Sequence, residues 1–345
     1  MSLIQLPRSG APTKAPPILR KIALEEHYML PSAGSGSSEP SAMSRDAGLD
    51  PAFLAAVGRR MQDFHTTRIE EMDESAIDVA ILSLRAPGTE GIPDAAKAAK
   101  VARETNDFLA DRIAESHGRL AGFAAVPLQD TEAAIKELER AICRLGFKGV
   151  MINGYVNIDS PDDAHYLDEE RFYPFWEAVC ELDVPVYLHP RAPLDRRAYE
   201  GHKELVGATW GFAPETATHA LRLVYSGLFD RFPKATVILG HMGETLPFFA
   251  WRIQHCFEWN PSDKRVEKRL QDYLCENFYI TTSGNNCDQA LICALLTIGS
   301  DRILFSTDYP FEMSTEAARW IERAPISELD RRKIAHDNAK RLFRL

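Results

Sequence analysis

Short apolar runs recur along the chain, each too brief for a helix and most of them closed by polar residues. They are Lys21-Ile-Ala-Leu24, Val79-Ala-Ile-Leu-Ser83, Leu120-Ala-Gly-Phe-Ala124, Gly149-Val-Met-Ile152, Val184-Pro-Val-Tyr-Leu188, Thr236-Val-Ile-Leu239, Phe278-Tyr-Ile-Thr281 and Ile303-Leu-Phe305. Runs of this kind predict strands buried on both faces. Between them the period changes. Val101, Thr105, Phe108, Leu109, Arg112 and Ile113 fall on one face of a helix over 94–117. Ile135, Leu138, Ile142 and Leu145 line another, opened by Asp130 or Thr131 and stopped by Gly146. Further helices are predicted over 51–71, 170–182, the stretch through Ala220 to Phe232, the segment carrying Trp251 and Arg252, 287–298 and the C-terminus.

Strands that alternate with helices imply parallel βα units. Eight of them in one chain argue for a closed (β/α)8 barrel, the TIM-barrel architecture. The alternative is an open doubly wound sheet, for which no GxGxxG stands at the first βα turn. Two stretches fall outside the pattern. Residues 1–20 carry prolines at 7, 12, 16 and 17 and no apolar core of a signal peptide, so they predict a flexible arm. Pro31 to Asp50 is rich in Ser, Gly and Pro and predicts a long loop inserted after strand one. The expected organisation is an arm followed by a single barrel domain over 21–345.

Composition narrows the function class. A formal net charge of −10 gives no basic face for nucleic acid. No apolar stretch approaches the roughly 18 residues of a membrane span. The six cysteines, at 143, 180, 256, 275, 287 and 293, include no CxxC pair. They predict reduced thiols in a reducing compartment, hence a cytoplasmic protein.

The chemistry gathers at the strand ends. Strand one ends in Glu25-Glu26-His27, strand five in His189, strand six in Gly240-His241 with Glu244 beyond, and strand eight in Ser306-Thr307-Asp308. An Asp where a buried strand stops needs a partner, or it caps the next helix or starts a turn. In a βα barrel these ends converge on the face where active sites sit. Glu25 and His27 are two apart on an extended chain and so point the same way. With His189 and Asp308 they form a mixed nitrogen and oxygen set suited to a divalent ion with open positions. Glu244, three residues past His241, either orients its imidazole or is a first-turn carboxylate favoured by the helix dipole. The histidines at 65, 117, 165, 202, 219, 255 and 336 lie away from the strand ends and are given no role.

The stretches Lys21-Ile-Ala-Leu-Glu-Glu-His27, Tyr187-Leu-His-Pro-Arg191, Ile238-Leu-Gly-His-Met-Gly-Glu244, Thr281-Thr-Ser-Gly284 and Arg302-Ile-Leu-Phe-Ser-Thr-Asp308 resemble the amidohydrolase superfamily. Within it they resemble the aromatic-acid decarboxylases of the aminocarboxymuconate-semialdehyde decarboxylase type, and most of all the γ-resorcylate (2,6-dihydroxybenzoate) decarboxylase group. The resemblance runs from about residue 20 to the C-terminus. It implies that Glu25, His27, His189 and Asp308 bind one divalent metal, zinc or manganese, with magnesium a third option. The superfamily's usual first-strand pair is His-x-His; Glu-x-His marks the dihydroxybenzoate branch. Implied too are catalytic roles for Asp308, His241 and Glu244, a small aromatic acid substrate, and a homodimer or homotetramer. Asp308 would deliver a proton to the ring carbon before carbon dioxide leaves, receiving it from the substrate or from His241. Asn153, Trp210, Arg252 and Phe311 are pocket candidates, Arg252 being either a carboxylate or subunit contact or a plain surface arginine. The expected reaction is non-oxidative, reversible decarboxylation of an ortho-hydroxybenzoate to a phenol such as resorcinol. The alternatives are decarboxylation of 2,3-dihydroxybenzoate, orsellinate or salicylate, a lactone or amide hydrolase on the same metal, and a metal-binding scaffold without turnover.

Overall fold

The computed structural model describes residues 18–31, 49–259 and 266–345. The predicted arm, apart from residues 18–20, and nearly all of the predicted loop after strand one lie outside them. Eight strands follow one another in the chain: β1 (Lys21–Tyr28), β2 (Ile77–Leu84), β3 (Leu120–Gly122), β4 (Val150–Asn153), β5 (Val186–His189), β6 (Val237–Leu239), β7 (Phe278–Thr281) and β8 (Ile303–Leu304). A two-residue hairpin, Val156–Asn157 against Ala164–His165, stands apart from them.

Every barrel pairing is parallel. β1, β2 and β3 form one run, and β4 to β8 form another in sequence order. Two single bridges join the runs: Ala124 pairs with Val150, and Leu24 pairs with Ser306. At the first seam the Ala124 N–H donates to Gly149 O at 2.8 Å and the Met151 N–H donates to Ala124 O at 3.1 Å. At the second the Ser306 hydroxyl donates to Leu24 O. The ring is therefore closed, as the count of βα units predicted, and an open sheet is ruled out.

The period of two sorts the strand residues into two cores. Ile22, Leu24, Ile81, Met151, Tyr187, Ile238, Tyr279 and Leu304 fill the barrel, and Phe343 of the last helix packs into the same cluster against Phe123. Ala23, Ala80, Leu82, Val150, Ile152, Val186, Leu188 and Val237 face outward onto the helices. The helix after β3, Thr131–Cys143, is opened by Asp130, whose carboxylate accepts from the N–H groups of Glu132 and Ala133.

Two expectations need correction. The single helix over 51–71 is two helices, α1 (Pro51–Met61) and α2 (Thr67–Glu74). Asp63 interrupts them: its side chain accepts from the N–H groups of His65, Thr66 and Thr67, offering the backbone an alternative to the helix. β1 is not evenly extended either. Its register against β2 slips between Ala23 and Glu26, and Glu25 has a φ of +57°. Leu24 and Glu25 thus both turn toward the barrel interior, which an unbroken alternation forbids. Glu25 and His27, two apart, share one site with Glu26 turned away, as their spacing predicts; the bulge is what puts that pair, and not Glu26, on the inner face after Leu24.

Candidate active site

The strand ends converge as the alternation of strands and helices predicted. Glu25 Oε1 lies 3.4 Å from His189 Nε2 and 3.8 Å from His241 Nε2. His27 Nε2 lies 3.3 Å from Asp308 Oδ1, and the rings of His27 and His189 meet edge to face at 4.8 Å. Glu25 and His27 are fully buried at the base, while the side chains of Asp308 and His241 keep 18% and 27% of their surface toward solvent. The set is thus graded from a dry floor to an open mouth.

Each side chain at the floor is held by its own neighbour. The Tyr187 hydroxyl donates to Glu25 Oε2 and shares a contact of 3.1 Å with Thr281 Oγ1. Ser83 Oγ stands 3.3 Å from His27 Nδ1, leaving Nε2 aimed at the site. Gly240, where β6 ends, gives the Glu25 carboxylate room: a Cβ there would stand 2.9 Å from Oε2. Behind the floor, Arg68 of α2 donates to His27 O at 2.6 Å and stacks on the Tyr309 ring at 4.2 Å. Glu26 points away from the site, against Arg68 and Thr307, and burial raises its carboxyl to about 7.

The backbone is strained where the site is built. Glu25, His241, Glu244 and Asp308 all have left-handed φ, at +57°, +50°, +52° and +70°. His241 to Thr245 form one left-handed turn, before the right-handed helix Leu246–Phe257 begins. Such a turn costs roughly 1–2 kcal/mol per non-glycine residue. It sets Glu244 just before Thr245, the N-cap of that helix, and not within its first turn. It also brings Glu244 Oε1 to 2.7 Å from His241 Nδ1.

The electrostatics follow from burial and these contacts. Burial opposes the charged form of His241, but Glu244, Glu25 and Asp308 outweigh it and raise its pKa well above the usual histidine value. Burial likewise opposes an ionised Asp308, yet the imidazoles of His241 and His27, 3.7 and 3.3 Å away, hold it below the ordinary carboxylate range. His189 is pushed well below its usual value by burial and by His27, so it is a neutral imidazole, the form that ligates metal. Burial raises Glu25, against the pull of His241.

Two overlapping sets could hold a divalent ion. Glu25, His27 and His189 offer ligand atoms within 4.8 Å of one another, and so do Glu25, His241 and Asp308. Glu25 Oε1 and His27 Nε2 are buried with no hydrogen-bond partner among the described residues. Unsatisfied buried donor atoms on a carboxylate and an imidazole that face one another fit a cation of the zinc or manganese type.

Of the pocket candidates, Phe311 meets the His27 ring edge at 5.9 Å, and Asn153 is buried beside His189, its Cα partner across β4 and β5. Trp210 and Arg252 are exposed, and among the described residues no hydrogen bond or ring contact joins them to the cluster. Tyr187, Ser83 and Glu90 were not singled out from sequence. Tyr187 was legible, two residues before His189 on one strand face, and so was Ser83 at the end of the second strand; Glu90 reaches the site region only through the fold.

All six cysteines are free thiols. No helix among the described residues is long and apolar enough to cross a membrane.

Comparison with known proteins agrees with this geometry. A γ-resorcylate decarboxylase of Polaromonas sp. is 47% identical over 329 residues, spanning 94% of this chain and 98% of that protein. The crystal structure of 2,6-dihydroxybenzoate decarboxylase complexed with 2,6-dihydroxybenzoate superposes with a TM-score of 0.89 at 46% identity, covering 95% of this chain and all of that one. A dihydroxybenzoic acid decarboxylase from Polaromonas sp., solved with bound manganese and the inhibitor 2-nitroresorcinol, gives the same TM-score and identity, covering 95% and 98%. The amidohydrolase family model matches residues 27–345, and with a closed barrel carrying its polar residues at the strand ends, the chain belongs to the amidohydrolase family.

Proposed function

We propose that this protein is a metal-dependent, non-oxidative decarboxylase of ortho-hydroxybenzoates, acting on 2,6-dihydroxybenzoate to release carbon dioxide and resorcinol. The convergence of Glu25, His27, His189 and Asp308 beneath the His241–Glu244 pair carries the reading. The four would hold one divalent ion, manganese or zinc. Bound there, such an ion supplies a template and Lewis acid for a carboxylate and the hydroxyl beside it.

The chain's own residues manage the proton. Direct loss of carbon dioxide would leave an aryl anion, so the ring carbon bearing the carboxylate is protonated first. A C–H bond forms there; the C–C bond then breaks, its electron pair returns to the ring, and carbon dioxide leaves. One proton is consumed per turnover. His241, kept cationic by Glu244, is the source, and its Nε2 lies 3.7 Å from Asp308 Oδ2. Asp308 takes this proton only transiently, because its resting state is ionised. Phe311 and Asn153 flank the space for the ring, Trp210 is a candidate for its rim, and Arg252 for its rim or a subunit contact.

The reading includes a cytoplasmic homodimer or homotetramer. Phe248, Trp251 and Leu296, exposed on the helices Leu246–Phe257 and Asp288–Ile298, offer apolar surface for assembly. Light scattering on the purified protein measures the assembly directly. The activity is tested by incubating the manganese-loaded protein with 2,6-dihydroxybenzoate, salicylate and 4-hydroxybenzoate and following phenol formation. Turnover is expected for the ortho-hydroxy acids and not for the para isomer. Ring-opened or hydrolysed products in place of phenols, or equal rates for the ortho and para acids, would overturn it.

A further inference from the structure

Asn153 ends β4 and stands opposite His189 in the parallel pairing of β4 with β5. Met151 and Tyr187, two residues earlier on the same strands, both lie in the barrel interior. The period of two therefore places Asn153 and His189 on the inner face, one layer nearer the mouth. Asn153 is 2% exposed and Glu90, in the loop after β2, is 1% exposed. The Asn153 amide donates through Nδ2 to Glu90 Oε2 at 3.2 Å. Its Oδ1 is buried with no partner among the described residues.

The loop is shaped around this contact. Gly88 has a φ of +60°, and a Cβ there would stand 2.3 Å from both Asn153 Nδ2 and Glu90 Oε2. Arg191, the nearby cation, is committed elsewhere, donating to Tyr155 O at 2.7 Å and to Asn157 Oδ1 at 2.5 Å. A carboxyl group accepts through Oε2 whether it is ionised or carries its proton on Oε1. This matters because burial raises Glu90 to about 7.

We infer that Glu90 is a positioning residue that turns the Asn153 amide so that its carbonyl oxygen faces the substrate ring, which makes the site select a second ring hydroxyl as hydrogen-bond donor. The inference rests on the site being that of an ortho-hydroxybenzoate decarboxylase. A buried acceptor with no partner of its own is satisfied by an incoming hydroxyl and left stranded by a group that cannot donate.

The test compares 2,6-dihydroxybenzoate with 2-hydroxy-6-methoxybenzoate, which keeps one ortho hydroxyl and replaces the other donor by an acceptor. Manganese-loaded wild type is expected to favour the dihydroxy acid in kcat/KM by roughly tenfold or more, chiefly through KM. Glu90→Leu and Asn153→Leu should each bring that ratio toward unity. Glu90→Gln keeps an acceptor oxygen and should retain it. The double variant should be no worse than Asn153→Leu, because Glu90 acts only through Asn153. A wild-type ratio near unity, a folded Glu90→Leu variant that keeps the preference, or additive losses in the double variant would overturn the inference. If Glu90→Leu does not fold, the wild-type ratio together with Asn153→Leu and Glu90→Gln still decides it. Failure of wild type to turn over either compound would instead overturn the proposed function, and this inference with it.

Discussion

His241 Nδ1 and Glu244 Oε1 lie 2.7 Å apart across a single left-handed turn. Glu244 is the first of the carboxylates that lift the His241 pKa against burial. Replacing it by Gln keeps the shape and removes the charge. We predict that Glu244→Gln loses about 10²-fold or more in kcat, the scale of a general acid–base group. Manganese content should be unchanged, because Glu244 is in neither candidate ligand set. The basic limb of the pH–rate profile should move to lower pH, since a histidine that must be protonated loses its proton earlier without its carboxylate. Kinetics across pH with parallel elemental analysis check this; an unchanged profile would remove Glu244 from the proton path.

Asp308 faces both His27 and His241. If it only binds metal, Asp308→Asn should recover most of its rate once saturated with manganese. If it also hands the proton to the ring, it should not. We expect the metal-saturated variant to bind substrate and to lose about 10²–10⁴-fold in kcat. Deuterium incorporation from solvent at the product ring carbon should slow in step. Near-wild-type turnover would leave Asp308 as a ligand alone.

The floor of the site predicts its metal content. About one equivalent of divalent ion per chain is expected from elemental analysis. Glu25→Gln should retain the fold and lose most of the ion, because Oε1 faces His189 and His241 with no other partner among the described residues. Tyr187→Phe should weaken metal binding less, since it removes only the hydroxyl that orients Glu25. Equal metal content in wild type and Glu25→Gln would refute the ligand assignment.

Glu90 makes stability depend on pH. Burial raises its carboxyl from an ordinary 4.5 to about 7. Between those values the native state binds more proton than the unfolded state, so this contribution is complete below the lower value and is lost as pH rises through the upper one. The shift corresponds to at most about 3 kcal/mol. Glu90→Gln does not titrate, so its stability relative to wild type should improve between pH 5 and pH 8 by up to that amount. Urea unfolding of both proteins at the two pH values measures it. A constant difference would show that Glu90 does not titrate in this range.

The sequence by itself determined the barrel and most of the candidate site. Eight apolar runs separated by helical periods fix the order of elements, because each must bury its apolar face and parallel strands need crossovers. The strand ends, read as one set, gave Glu25, His27, His189, His241 and Asp308, since a barrel brings those ends to one face. Only the tertiary structure decided how they meet. The bulge at Glu25 and the left-handed turn at His241–Thr245 are unfavourable locally, so no local preference announces them; packing around the site holds them in place. Asp63 split a helix that periodicity alone made continuous, because a side-chain acceptor competed with the backbone. Glu90 lies far in sequence from Asn153 and His189. Its part depends on which way one amide turns, which three-dimensional contact decides and residue order does not.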